Sequence, residues 1–204
     1  MKDLPGVLLV ATVWTYWLGV GLMIVRAWHE QHQLAGLIPQ QRLERALWVV
    51  WLPLVAAWIA LPYLALAHGH GLAAAPALTG DDAGYATLRW MAALCAVACL
   101  LLTSVCWSHM GRHWRMDVAP EGEAALITDG PFRYVRHPIY ALSMLLMICS
   151  AIVVPTPPML VVASAHIVLM QIKARNEEHH LLTVHGVSYR RYLERTGRFF
   201  PKRG

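Results

Sequence analysis

Five apolar segments constrain this chain more than anything else in it. They fall at about 4–25, 46–67, 88–107, 139–154 and 159–172. The first three are each near the ~20 residues that an α-helix needs to cross the hydrocarbon core of a bilayer. Runs of this kind predict an all-α integral membrane protein with about five transmembrane helices. The last two segments are shorter and are separated by Pro155-Thr156-Pro157-Pro158. Such a cluster cannot continue a helix, so the two are expected to form a tight helical hairpin. Helices of about 14–16 residues rise only about 21–24 Å, against a core of ~30 Å. Both are therefore expected to run on beyond the lipid, on the side away from the prolines.

Composition agrees with lipid as the solvent. Hydrophobic residues make up 57% of the 204 and charged residues only 14%, where soluble domains carry about 25% charged. Nine Trp stand against three Phe, and indole rings favour membrane interfaces. The formal charge of +5 is spread between and after the apolar runs and forms no basic stripe on a soluble face, which argues against nucleic acid. Cys95, Cys99, Cys106 and Cys149 lie in or beside apolar segments without zinc-type spacing, so they read as small packing residues. The first segment lacks a small-residue cleavage site and reads as a span, not a signal peptide.

The basic residues also predict an orientation. Of 17 Lys and Arg, 15 fall in the connection after the first segment, in 108–138, or after residue 172. The positive-inside rule makes that side cytoplasmic and puts the N-terminus outside. Residues 73–84 are small and polar, and read as an external loop.

Two stretches on the basic side hold nearly all the unusual polar residues. In 126–140, Asp129-Gly130-Pro131 supplies a turn, and Pro138 fits the first turn of a helix, where a missing N–H costs nothing. The helix N-terminus, flanked by Arg136 and His137, would attract a carboxylate. Alternatively Arg133 and Arg136 are interfacial anchors on lipid phosphates. The second stretch continues the fifth helix. Lys173 and Glu177 are four apart, as are Arg175 and His179, so each pair shares a face. Either Glu177 binds a cationic or hydroxyl-bearing ligand, or it forms an exposed ion pair with Lys173.

Taken together, the two stretches resemble the isoprenylcysteine carboxyl methyltransferase family and its phospholipid methyltransferase relatives, over roughly 107–201. The most specific parts are Gly130-Pro131-Phe132, Arg136-His137-Pro138-Ile139-Tyr140, and Glu177-Glu178 followed by Gly186, Tyr189, Tyr192 and Pro201. The resemblance implies a cytoplasm-facing pocket for S-adenosyl-L-methionine, built by the last two helices and the tail. It divides the chain into three N-terminal transmembrane helices, 1–107, and a methyltransferase region, 108–204. Positions carried over to the donor site are Ala125, Leu126, Ile127, Phe132, His137, Pro138, Ile139, Tyr140 and Glu177. Lys173 matches the position that helps hold the methyl acceptor, with Arg175 as its neighbour. The implied partners are membrane lipid and an amphipathic or lipid-anchored acceptor. Two departures stand out: Phe132 where the family usually has Tyr, and Leu142 where it often has Gly.

The chemistry such a site must perform is modest. Attack on a sulfonium methyl needs alignment and exclusion of water. A carboxylate acceptor is already ionised at neutral pH, whereas an amine or thiol would need a proton acceptor, for which His137 or Glu177 could serve. Phospholipid N-methylation, small-thiol S-methylation and a non-catalytic cofactor-binding scaffold are the competing readings. A metal site is disfavoured: His109, His113, His179 and His180 are too few for a di-metal oxygenase.

Overall fold

The computed structural model describes residues 3–31, 42–68, 83–111, 114 and 126–202. Five α-helices follow one another: α1 (Leu4–Gln31), α2 (Arg42–Ala67), α3 (Ala83–Met110), α4 (Pro138–Val153) and α5 (Pro157–Arg195). A 3-10 turn, Gly130–Arg133, precedes α4. The described residues contain no strand, and four of the helices are long and apolar enough to cross a membrane, with α4 a shorter apolar fifth. Leu18, Leu22, Val49, Met91, Leu101 and Val161 all point outward, each more than half exposed. In water so much outward apolar surface would be a liability; against lipid it is the expected exterior. The all-α membrane architecture read from the sequence is the one observed.

The helices pack by size complementarity. Ala92, Ala93 and Ala96 on α3 are buried, and α3 lies along α4. Small residues let backbones approach closely where lipid removes the usual hydrophobic drive between helices. Leu146, Met147 and Met159 are fully buried in the core that results. At the end of the bundle where α4 finishes, Tyr85 donates to Ile152 O at 3.0 Å and Arg89 to Val153 O at 3.3 Å. These bonds satisfy carbonyls that a helix C-terminus leaves open. Arg89, one of the two basic residues outside the basic side, is itself neutralised by Asp3 at 2.6 Å.

The proline cluster forms the predicted hairpin. Thr156 caps α5 by accepting from Met159 N, with Pro157 and Pro158 in the first turn. One expectation fails, because α4 does not run on at its other end. It starts at Pro138, and the two residues before it spend their backbone N–H groups outside the helix. Arg136 N donates to Gly197 O at 2.9 Å and His137 N to Arg198 O at 3.0 Å. The C-terminal tail therefore occupies the space into which α4 would have extended. The loop expected at 73–84 also ends early, since Ala83 and Gly84 belong to α3.

α5 does continue, but it bends at Gly186 (φ 49°, ψ −116°), a conformation that side chains with a Cβ rarely adopt. The bend turns residues 187–195 back over the start of α4, where Tyr192 donates to Phe132 O at 2.5 Å. Lys202 then donates to Leu193 O and Glu194 O. Gly186→Ala is expected to cost about 1–3 kcal/mol of backbone strain. The loss should appear as a lower melting temperature in detergent and faster tryptic cleavage at Arg190, Arg191 and Arg195. A variant indistinguishable from wild type in both assays would show that the bend is not held by this glycine.

Candidate functional site

The site is organised around one buried carboxylate. Glu178, on α5, is only 6% exposed. Arg136 donates to its Oε1 at 3.0 Å, and Arg198 reaches both oxygens, at 3.0, 3.0 and 2.5 Å. Hydrogen bonding to Glu178 pushes the Arg198 guanidinium up from its ordinary value. A buried charge is tolerated when it is paired and its lone pairs are filled, and two guanidiniums do both here. Arg136 also donates to Thr196 O. One carboxylate thus fixes three things together: α5, the segment before α4, and the tail.

Beside this clamp a cavity of ≈ 140 Å³ opens into the bundle, about tenfold what one water needs. Its charged end carries Arg136, His137, Lys173 and Glu177, with Phe132, Pro138, Ile139 and Tyr140 alongside. The His137 ring is 6% exposed and lies flat on Tyr140, the planes 3° apart and the centroids 5.4 Å apart. Its Nδ1 is 3.5 Å from Glu177 Oε2. Its Nε2 is 3.4 Å from Glu178 Oε1 and is buried against that carboxylate. Glu177 keeps 36% of its side chain exposed. Adjacent glutamates on one helix differ by about 100° in direction: Glu178 faces the tail and Glu177 the cavity.

The sequence-predicted residues fall unevenly around this space. Phe132, His137, Pro138, Ile139, Tyr140, Glu177 and Lys173 all line it. Leu126 and Ile127 are half-buried and are not among the lining residues. Arg175 is exposed and outside the lining, while Ala125 lies outside the described residues. Arg136 is held by Glu178, and Arg133 is exposed. Leu142 packs against the main core and does not face the cavity. His109, weighed as a metal ligand, instead bonds Asp129 at 3.1 Å, which holds that carboxyl below its usual range. Among the described residues no group of three His, Cys, Asp or Glu could hold a metal; His113 lies outside them.

Sequence reasoning missed the rest of the wall. Tyr16, Trp17 and Val20 come from α1, Trp51 from α2, and Trp107 and Met110 from α3, with Trp114 just beyond. Trp58 is fully buried, its indole donating to Ser150 Oγ at 3.0 Å. The tryptophan excess therefore serves the interior as well as the interface. The only sequence signal for it was that surplus of Trp over Phe, with Trp17 placed mid-span, too far from either end for an interfacial belt.

These features define a multi-pass helical membrane protein with an aromatic-walled cavity that is charged at one end, where the C-terminal tail braces Arg136 and Glu178. Residues 91–183 match the sequence model of the isoprenylcysteine carboxyl methyltransferase (ICMT) family, as the motifs suggested, and the match implies a membrane methyltransferase. The matched region ends before Gly186, yet Arg198 and Tyr192 bind residues inside it. No curated protein matches the chain.

Removing Glu178 is expected to leave Arg136 buried without a counter-charge. Glu178→Ala should therefore cost about 3–5 kcal/mol and release the tail, read as thermal destabilisation together with proteolysis at Arg198. Glu177→Ala should leave both readouts near wild type. Equal effects from the two substitutions would contradict the division of labour described above.

Proposed function

We propose that this protein is an S-adenosylmethionine-dependent methyltransferase acting at the cytoplasmic face of a membrane on a lipophilic or lipid-anchored acceptor. The observation that carries the proposal is the charged end of the cavity, where seven of the residues matched to the family meet in one space. Their chemistry suits the donor. The Glu177 carboxylate can accept from an ammonium, and the His137 ring, whose Nδ1 faces Glu177, presents a polar edge at the same end of the cavity. The rings of Phe132, Tyr140 and Trp107 offer faces to a sulfonium and to a purine.

When bound, the donor supplies a methyl carbon already activated by the positive sulfur. The chain's own contribution is then alignment and exclusion of water. The clamp on Glu178 fixes Arg136 and His137, and His137 in turn stacks on Tyr140. Lys173 lies one turn before Glu177 and lines the same wall. It is the better candidate to neutralise and align the acceptor, and the exposed Arg175 reads as an anchor at the interface. A pocket at the cytoplasmic ends of the last two helices would lie at headgroup depth, where a lipid-anchored acceptor reaches it by lateral diffusion.

Phospholipid N-methylation and thiol S-methylation use the same donor end, and transfer of labelled methyl to extracted lipid or to a lipophilic thiol separates them. His137→Ala and Glu177→Ala should each weaken S-adenosylmethionine binding by roughly 10- to 150-fold, from about 1.5–3 kcal/mol for a hydrogen bond to a charged group. Calorimetry on purified protein reads this, and wild-type affinity in both variants would remove them from the site. Lys173→Ala should lower turnover more than donor binding, and Arg175→Ala should do neither; the reverse ranking would move the acceptor to Arg175. For orientation, a cysteine replacing Lys202 should resist an impermeant thiol reagent in intact cells, whereas one replacing Asp81 should react.

A further inference from the structure

The far end of the cavity is polar but uncharged. Tyr16, Ser143 and His166 line it and are 5%, 5% and 2% exposed. Ser143 Oγ and His166 Nε2 are 2.9 Å apart, and Tyr16 lines the same end. The His166 ring packs on Trp58 with centroids 5.1 Å apart, and Trp17 stands edge-on to Trp58 at 5.7 Å. Trp17 lines the cavity too, and its Nε1 is buried without a hydrogen-bond partner. Every charged lining residue belongs to the opposite end. Lys173 is seven residues from His166 along α5, about 10 Å at the helical rise, and Glu177 about 16 Å.

A purely hydrocarbon tail is a poor occupant for this end. It would leave the Trp17 N–H unpaired and cover three hydroxyl and imidazole groups without using them, and buried polar groups left unpaired are costly. A carboxylate or ammonium is equally poor, because no counter-charge stands nearby to offset its desolvation. What fits is a neutral group with lone pairs to accept from Trp17 and a donor or acceptor to engage the Ser143–His166 pair or Tyr16.

We propose that this cluster is a specificity site for an uncharged hydrogen-bonding group, a hydroxyl or carbonyl, carried on the apolar part of the methyl acceptor roughly 10 Å from its reactive end. The inference rests on the acceptor reading given above and narrows it: the acceptor is not a plain hydrocarbon chain. His166 acts here in recognition and not in the transfer step.

The test uses the full chain in nanodiscs and two matched pairs of probes: octanoate against 8-hydroxyoctanoate, and octanethiol against 8-hydroxyoctanethiol. Binding is read from the fluorescence of the tryptophans around the cavity, and donor binding separately by calorimetry. In an apolar pocket a terminal hydroxyl weakens binding. At this site it should strengthen binding at least threefold in both pairs. His166→Leu and Ser143→Ala should abolish or reverse that gain while S-adenosylmethionine affinity stays within twofold. Should His166→Leu fail to fold, Tyr16→Phe removes a single hydroxyl, and His166→Gln keeps a polar atom near the Nε2 position and should retain part of the gain. Tighter binding of the unsubstituted probes by wild type, or a hydroxyl gain that survives in the variants, would overturn the proposal. Absence of S-adenosylmethionine binding by wild type would instead defeat the methyltransferase reading, and the hydroxyl preference would be judged on its own.

Discussion

The Glu178 carboxylate, held between Arg136 and Arg198, is the interaction on which the functional end of the molecule depends. Without it the tail after α5 has little reason to return, because its contacts with the segment before α4 are short. Glu178 aside, they are two backbone hydrogen bonds, the Arg136 bond to Thr196 O and the packing of Phe199 on His137. With it, the tail is pinned to α5 and to the segment that leads into α4. The arrangement sits at the limit of the bundle, where a charge cluster can be dry enough to be strong and near enough to water to be tolerable. Three charges share the cost of burial, and Arg198 keeps about a third of its side chain in solvent.

From that anchor the order of His137 follows. Its backbone N–H is fixed by Arg198 O, its carbonyl accepts from Ala141 N, and its ring is trapped between Tyr140 and Phe199. The ring thus has a fixed plane before any ligand arrives, which lowers the entropy lost on binding. The N-terminal helices do a different job. They bring Tyr16, Trp17, Trp51 and Trp107 to the cavity as a rigid apolar wall, braced edge-to-face, as in Trp17 with Trp51 at 5.6 Å and with Trp58 at 5.7 Å.

What was legible in the sequence tracks the range of the interactions concerned. Spans, the proline hairpin and the turn at Gly130 are set by neighbours within a few residues, and all appear where expected. The failure of α4 to extend was not legible, because its cause is the pairing of Arg136 and His137 with carbonyls some 60 residues later. The two adjacent glutamates were recognisable as a pair. Which one faces the cavity depends on a guanidinium from the tail, 20 residues on. Trp17 and Trp51 were invisible as cavity walls for the same reason, since nothing local separates an indole facing lipid from one facing a neighbouring helix. Arg175 shares a face with His179 as its spacing predicts, and that face is exposed, outside the cavity lining.

The cavity's polarity gradient has its own physical logic. At the charged end Arg136 is paired with Glu178 and His137 lies against Glu177, both across to α5. Deeper in the bundle the effective dielectric falls and an ion would have to be matched atom for atom, so Tyr16, Ser143 and His166 remain neutral donors and acceptors. A ligand that spans both regions must carry the same gradient, ionic or nucleophilic at one end and neutral at the other. Such a molecule is oriented before any close contact forms, because reversing it would strand a charge among the tryptophans and leave Glu177 facing an uncharged group. Orientation of such a ligand is therefore written into the two ends of the cavity, and the proposed methyl transfer, which relies on alignment instead of strong acid–base chemistry, would need that more than any single catalytic group.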